Sequence, residues 1–264
     1  MSTLTLTLAV RDSTTMLRRN LLHARRYPSL TLNLLLTPVM LLLLFVYIFG
    51  NVMSAGMGGG ADRSAYIAYI VPGILMMTIG GTVVGTAVSV SNDMTEGIIA
   101  RFRTMAIHRG SVLVGHVVGS VLQSVASVVL VGAVAVAIGF RSTDATALEW
   151  LAAFGLLALF ALALTWIAVG MGMVSPNAEA ASNNALPLIV LPLISSAFVP
   201  IDAMPGWFQP IAQYQPFTPA IETLRGLLLG TEIGSNGWLA VGWCAVLTVL
   251  GYRWSTASFR RDPK

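Results

Sequence analysis

Long stretches of this chain carry no charge at all. Asp, Glu, Lys and Arg are absent from 27–61, 64–92, 110–140, 150–178, 180–201 and 233–252, and each window holds an apolar run long enough to cross a bilayer. A charge at the centre of a membrane helix costs about 2.5–3.5 kcal/mol on insertion scales, so uncharged windows of about 20 residues are what hydrocarbon selects. The windows predict an all-α integral membrane protein with six spans, at about 29–49, 65–90, 111–138, 149–174, 183–199 and 237–253. Composition agrees: hydrophobic residues are 56% and charged residues 10%, against about 45–50% and 25% for an ordinary soluble domain. A β-barrel would alternate apolar and polar residues, whereas Val39 to Val46 is apolar on every side.

The basic residues set the expected orientation. With both termini on one side, that side collects Arg11, Arg18, Arg19, Arg25, Arg26, Arg101, Arg103, Arg109, Arg253, Arg260, Arg261 and Lys264. The other side keeps only Arg63, Arg141 and Arg225. Basic loops stay in the cytoplasm, so both ends are expected there. The first apolar run begins near residue 29 with no small-residue cleavage site after it, and is expected to be a retained span. The lone Cys244 lies in the last window, where a buried, unreactive thiol is expected.

Residues 1–28 read as an amphipathic lead. Val10, Leu17, Leu21 and Ala24 share one side of a helix, flanked by Arg18 and Arg25, which suits a helix lying in the headgroup layer and meeting anionic lipid. Pro28 turns the chain into the first span, where Pro38 is expected to introduce a kink. Gly56, Gly58, Gly59 and Gly60 soften the outer loop that follows. Gly81 and Gly85 in the second span, and Gly115 and Gly119 in the third, have the small-xxx-small spacing that permits close helix packing.

The loop at 91–110 is the one cytoplasmic connection of any size. Asn92, Asp93 and Thr95 are candidate N-caps, and Glu96 falls in a first turn, where a carboxylate suits the helix dipole. Ile98, Ile99, Phe102 and Met105 then supply apolar teeth among Arg101, Arg103 and Arg109. The pattern is a short amphipathic helix, either a connector resting on lipid or a docking element for a cytoplasmic partner. Ser175-Pro176-Asn177-Ala178-Glu179 forms a short turn with a helix restart. From 200 to 236 the chain is moderately apolar but broken by Pro200, Pro205, Pro210, Pro216 and Pro219. Short helices in the outer interface are expected there, with Trp207, Phe208 and Trp238 at headgroup depth.

Enzyme chemistry has little to work with. His23, His108 and His116 have no carboxylate or cysteine at metal-ligand spacing, and are expected to lie at interfaces or along helices. No Gly-x-Ser-x-Gly occurs, and the acidic residues fall at span ends. Proton- or ion-driven carriers usually need ionisable residues at membrane depth, whereas the deepest polar groups of the expected spans are hydroxyls, His116, Gln123 and asparagines near span ends. A phosphate-binding loop needs a lysine after its glycines, and the only lysine is the final residue, Lys264. If ATP drives this protein, another subunit hydrolyses it.

Several local stretches resemble one family. Glu96-Gly97-Ile98-Ile99-Ala100-Arg101-Phe102-Arg103-Thr104-Met105 and His108-Arg109-Gly110-Ser111 look like the coupling loop of type-2 ABC exporter permeases of the daunorubicin-resistance branch. Phe198-Val199-Pro200, Met204-Pro205-Gly206-Trp207, Gln215-Pro216-Phe217-Thr218-Pro219 and Leu224-Arg225-Gly226-Leu227 resemble that branch's segment before the sixth span. The similarity covers about the whole chain and implies a single transmembrane domain over 1–264, working as one permease of a homodimer or heterodimer on two ATP-binding subunits.

It further implies that Glu96, Gly97, Ile98, Arg101, Phe102, Arg103 and Met105 meet the ATPase. Pro200, Pro205, Trp207, Phe208, Gln215, Pro216 and Pro219 would form an outer gate or re-entrant segment. The substrate path would be walled by spans one, two and five. ATP and magnesium would sit in the partner, with no cofactor on this chain, and an amphipathic drug, natural product, lipid or glycan would pass outward across a bacterial cytoplasmic membrane. Membrane lipid and a small amphipathic substrate are the other expected contacts; nucleic acid is not. Two other readings remain: a non-transport anchoring or assembly subunit, and a proton-coupled carrier.

Overall fold

Pro28 occupies the first position of helix α1 (Pro28–Leu44), where its missing N–H costs nothing. The computed structural model describes residues 28–49, 63–96, 109–142 and 145–260. The amphipathic lead, the glycine-rich 50–62 loop and residues 97–108 lie outside them. Pro38 sits within α1, and the helix then widens into a π-helical turn at Phe45–Phe49. Phe45 stacks on Phe198 with ring centroids 4.7 Å apart.

Three long helices follow: α2 (Arg63–Thr95), α3 (Arg109–Ala137) and α4 (Ala147–Val174). Among the described residues, Ser64–Thr95, Leu113–Ala137 and Ala147–Val174 are long and apolar enough to cross a membrane; a shorter apolar helix covers Leu36–Ile48. Helix α4 opens on a capping box absent from the sequence reading. The Thr146 hydroxyl accepts from the Glu149 amide at 3.3 Å, and the Glu149 carboxylate accepts from the Thr146 amide at 2.6 Å. At its far end the Ser175 hydroxyl folds back on the Met171 carbonyl at 2.7 Å. The Asn177 side chain then caps α5 (Ala178–Asn184) through the Ala180 amide at 2.8 Å, so the breaker cluster restarts a helix as its residues dictate.

The window expected to hold the fifth span departs from that expectation. Instead of one helix over 183–199, the chain forms α5, then α6 (Pro187–Leu193), then turns. Pro187 and Pro192 each remove a backbone donor, which divides the segment. Beyond it come a 3₁₀ turn (Ile201–Ala203), α7 (Gln209–Tyr214), α8 (Phe217–Leu229) and α9 (Asn236–Arg260). Gly230, with φ of 71°, closes α8 in the left-handed conformation glycine adopts freely.

Helices α2 and α4 form the centre. Against α2 pack α1, α3, α4, α5, α6 and α8, while α9 runs along α4 in the most extensive contact of the fold. The main core joins Tyr66, Ile70, Ile74, Ile79, Phe160, Leu164, Phe217, Ile221 and Leu224. A second, separate cluster of Val90, Leu113, Val117, Trp166, Val169, Met173 and Phe259 sits where α2 ends and α3 begins.

Glycine packing differs from the expected pattern. A Cβ on Gly81 would meet nothing within 4 Å in this chain. The close approaches are at Gly73 and Gly80, seven residues apart and so on one face of α2. A Cβ on Gly73 would lie 2.6 Å from the Ala197 Cβ, and one on Gly80 would strike the Leu188 carbonyl oxygen. These two glycines make the groove that seats the broken 186–197 segment.

Candidate functional site

Helix α2 extends to Thr95, beyond the expected span end at 90. Asn92 and Asp93 are therefore not N-caps of a following helix but members of α2's last turns. The Thr95 hydroxyl donates back to Ser91 and Asn92 at 3.1 Å each, and the Glu96 amide donates to the Asn92 carbonyl at 2.9 Å. Glu96 is exposed in the turn that leaves the helix. Gly97, Ile98, Arg101, Phe102, Arg103 and Met105 lie outside the described residues.

The outer segment divides into an exposed and a buried half. Pro200, Pro205 and Trp207 are exposed, Trp207 at 76%, with Phe208 half-buried against it at 5.4 Å between ring centroids. Pro216 is half-buried, whereas Gln215 and Pro219 are buried. Gln215 acts as a keystone. Its amide nitrogen donates to the Leu191 carbonyl at 3.2 Å, and its oxygen accepts from the Phe217 amide at 3.3 Å. Thr218 donates to the Ala212 carbonyl at 2.5 Å and accepts from the Ser196 amide at 3.3 Å. Phe217 meets Phe160 edge-on at 4.9 Å. Polar side chains thus satisfy backbone groups that proline and the chain breaks leave open, as a low-dielectric setting requires. The 200–236 stretch is not uniformly interfacial: α8 is built into the main core.

Arg225 is the residue that the sequence reading placed with the outer-loop charges and that the structure places inside. It is 7% exposed. Its Nη1 donates to Glu222 at 2.6 Å, and its Nη2 donates to the carbonyls of Tyr69 and Ser196, each at 3.1 Å. The guanidinium carbon lies 3.9 Å from the centre of the Tyr69 ring, and the Tyr69 hydroxyl also donates to Ser196, at 2.9 Å. One planar fork thereby ties α8 to α2 and to the turn after α6, a geometry that lysine cannot supply. Nothing local marks Arg225 in the sequence, because its carbonyl partners lie 29 and 156 residues away.

A polar ladder crosses the bundle nearer the α2–α3 connection. His116 is buried, with Nε2 3.0 Å from the Asp93 carboxylate. One turn deeper along α3, Ser120 accepts from Thr86 at 2.6 Å and shares a 3.1 Å hydrogen bond with Thr165 of α4. Asp93, at the span end where the sequence reading put its acidic residues, is therefore drawn inward against the histidine. Beyond the ladder, α2, α3, α4 and α8 line a half-open apolar pocket of about 220 Å³, bounded among others by Leu75, Val128, Trp150, Phe154, Leu157 and Leu228. The arrangement binds helices to one another.

Comparison with known proteins places this architecture. The profile of the ABC-2 type transporter family matches residues 12–229. The chain is 29% identical over 252 residues to the daunorubicin resistance ABC transporter permease protein DrrB1 of Streptomyces coeruleorubidus, covering 93% of this chain and 86% of that protein. It is 22% identical over 228 residues to the probable doxorubicin resistance ABC transporter permease protein DrrC of Mycobacterium tuberculosis, covering 81% and 80%. Nodulation protein J of Rhizobium meliloti is 25% identical over 236 residues, with 82% of each chain covered. The resemblance seen in the 96–105 and 198–227 stretches thus extends along most of the molecule. With three long apolar helices and a family match that spans them, the chain belongs to the ABC-2 type transporters and is a multi-pass membrane permease.

Proposed function

We propose that this permease is the membrane half of an ATP-driven exporter that moves an amphipathic compound outward across a bacterial cytoplasmic membrane. The observation that carries this reading is the similarity to a daunorubicin resistance permease along 93% of the chain. Two permease subunits enclose the path, and two copies of a separate subunit bind ATP and magnesium. This chain holds no cofactor of its own. Its single 1–264 domain crosses the membrane six times with both ends inside, α1, the divided 178–199 segment and α9 supplying the spans beyond the three long helices.

Force enters through the 91–110 loop. An ATP-binding subunit is water-soluble, and the 175–183 turn is too small to fill a groove, so the contact falls on the larger loop. Phe102 is the anchor, Arg101 and Arg103 flank it, and Gly97, Ile98 and Met105 complete the face. Buried aromatic or Arg anchors in such small interfaces contribute about 2 kcal/mol or more. Glu96, exposed at the end of α2, meets a basic side chain of the partner. Pro200, Pro205, Trp207, Phe208, Gln215, Pro216 and Pro219 form the outer gate.

The test is reconstitution with the cognate ATP-binding subunit in proteoliposomes, reading ATP hydrolysis and doxorubicin movement together. The permease alone hydrolyses no ATP above background, and the complex does. Phe102→Ala or Glu96→Arg leaves insertion and pairing intact but abolishes ATP-linked movement. Wild-type export by both variants, with unchanged affinity for the ATPase, would make the loop a lipid-facing connector and sink the docking assignment.

A further inference from the structure

We propose that Asp93 and His116 form a latch that makes the ends of α2 and α3 move as one body, and that this pair positions the loop between them for force transmission. The inference rests on the reading of the 91–110 loop as the site where force enters. That loop has two roots, the last turn of α2 and the first turns of α3. Whatever pushes on it reaches the bundle only through those turns. If the roots shift independently, the push is spent in separating them; if they are joined, it turns the block behind them.

The structure joins them with a directional bond. Asp93 lies two residues before the end of α2, and His116 lies two turns into α3. Their side chains meet at 3.0 Å and are 12% and 4% exposed. Shielded from water, an ion pair or charge-assisted hydrogen bond holds a defined geometry, whereas apolar contact between membrane helices leaves their register free to slip.

Among the described residues, further contacts tie the helices around this bond to one another. The Thr86–Ser120–Thr165 hydroxyl chain ties the same two helices to α4 one step deeper. A Cβ on Gly172 would strike the Ala87 carbonyl and lie 2.9 Å from the Val90 side chain, so α2 and α4 touch backbone to backbone here. The Ser255 hydroxyl donates to the Trp166 carbonyl at 3.0 Å, adding α9. The second apolar cluster fills the space among these four helix ends. Of the hydrogen bonds that tie α2, α3 and α4 together here, the latch lies nearest the loop in sequence.

Two arms test it in the full chain. In a Cys244→Ser background in lipid nanodiscs, spin labels at Asn92 and Val114, both exposed, report the spacing of the two roots. A narrow distance distribution is expected in the parent. It should broaden in Asp93→Leu, in His116→Leu and in the double Leu variant, and narrow again when the pair is exchanged as Asp93→His with His116→Asp. The double Leu variant removes both members of the pair together, so neither is left buried without the other, and the exchanged pair separates loss of the bond from loss of fold.

The second arm measures doxorubicin moved per ATP hydrolysed with the ATP-binding subunit present. Breaking the latch should lower that ratio about fivefold or more, the lower end of typical coupling between distant sites, with ATP hydrolysis retained. The exchanged pair should restore it. Unchanged distance widths, a wild-type ratio in the double Leu variant, or an exchanged pair no better than the single variants would overturn the latch. Absence of ATP-driven doxorubicin movement in wild-type vesicles removes doxorubicin as a substrate, failure of the ATP-binding subunit to gain hydrolysis with the permease counts against the export reading, and the spin-label arm then decides the latch by itself.

Discussion

Gly80 and Gly81 are neighbours in one helix, yet the fold assigns them opposite sensitivities. A Cβ at Gly80 runs into the Leu188 carbonyl oxygen, with the Leu188 carbonyl carbon at 3.3 Å, and both belong to backbone that cannot rotate aside. A Cβ at Gly81 meets nothing within 4 Å. Forcing a methyl into a packed contact costs about 1–3 kcal/mol, against which the gain of alanine over glycine in a helix returns about 0.5–1 kcal/mol. Because the clash is with backbone, the top of that cost applies: Gly80→Ala should lose about 2 kcal/mol, whereas Gly81→Ala should gain up to about 1 kcal/mol. For a chain of this size each kcal/mol moves the melting midpoint by roughly 2–4 °C, so the two variants should melt on opposite sides of wild type. Thermal unfolding of the purified permease in nanodiscs, followed by tryptophan fluorescence, measures both. Gly80→Ala melting at or above wild type would refute the seating of the 186–197 segment against α2. A Gly81→Ala variant that loses stability only in the paired form would instead place Gly81 between subunits.

Three further outcomes are expected. Arg225→Lys should keep the charge but cannot span Glu222 and two carbonyls, so limited proteolysis should cut faster near Ser195–Phe198; cutting at the wild-type rate would remove the clamp role. Trp207→Ala with Phe208→Ala should leave the permease inserted and folded while export of its substrate falls, because both rings lie on the exposed half of the outer segment; loss of folded protein would make the segment structural. Single cysteines at Gly58 and Ser235, in the Cys244→Ser background, should react with impermeant thiol reagents from outside, and cysteines at Ser182 and Ser258 should be protected in intact cells. The reverse labelling would overturn the orientation and the loop assignment with it.

The parts legible in the sequence were those governed by local rules. Charge-free windows located α1 to α4, because exclusion of charge from hydrocarbon acts residue by residue, and Ser175 to Glu179 announced its turn through cap chemistry. Pro187 and Pro192 were equally legible as breaks, yet a window average of hydrophobicity passed over them. What local rules could not supply was pairing at a distance. Asn92 and Asp93 looked like caps because short polar residues at a helix end usually are; Asp93 instead belongs to a histidine 23 residues onward. Arg225 joined the outer charges in a count of loops, whereas its carbonyl partners sit on α2 and after α6. Small-xxx-small spacing flagged Gly81, but spacing alone does not say which face of a helix meets a neighbour, and Gly73 and Gly80 hold the contact.

The clamp around Ser196 also sets an order of events during synthesis. The Ser196 carbonyl is satisfied by Tyr69 and Arg225, the Ser196 amide by Thr218, and the Leu191 carbonyl by Gln215 as well as by the Ile194 amide within the segment. In lipid each unsatisfied backbone group costs several kcal/mol. When residues 187–199 first leave the ribosome, Tyr69 is already outside it, but Gln215, Thr218 and Arg225 are still in the exit tunnel. A nascent chain cut off before residue 215 therefore leaves the Ser196 amide without its Thr218 partner and the Ser196 carbonyl without its Arg225 clamp. The seating of this stretch is completed from behind, by the arrival of α8, and so comes later in synthesis than the emergence of the stretch itself.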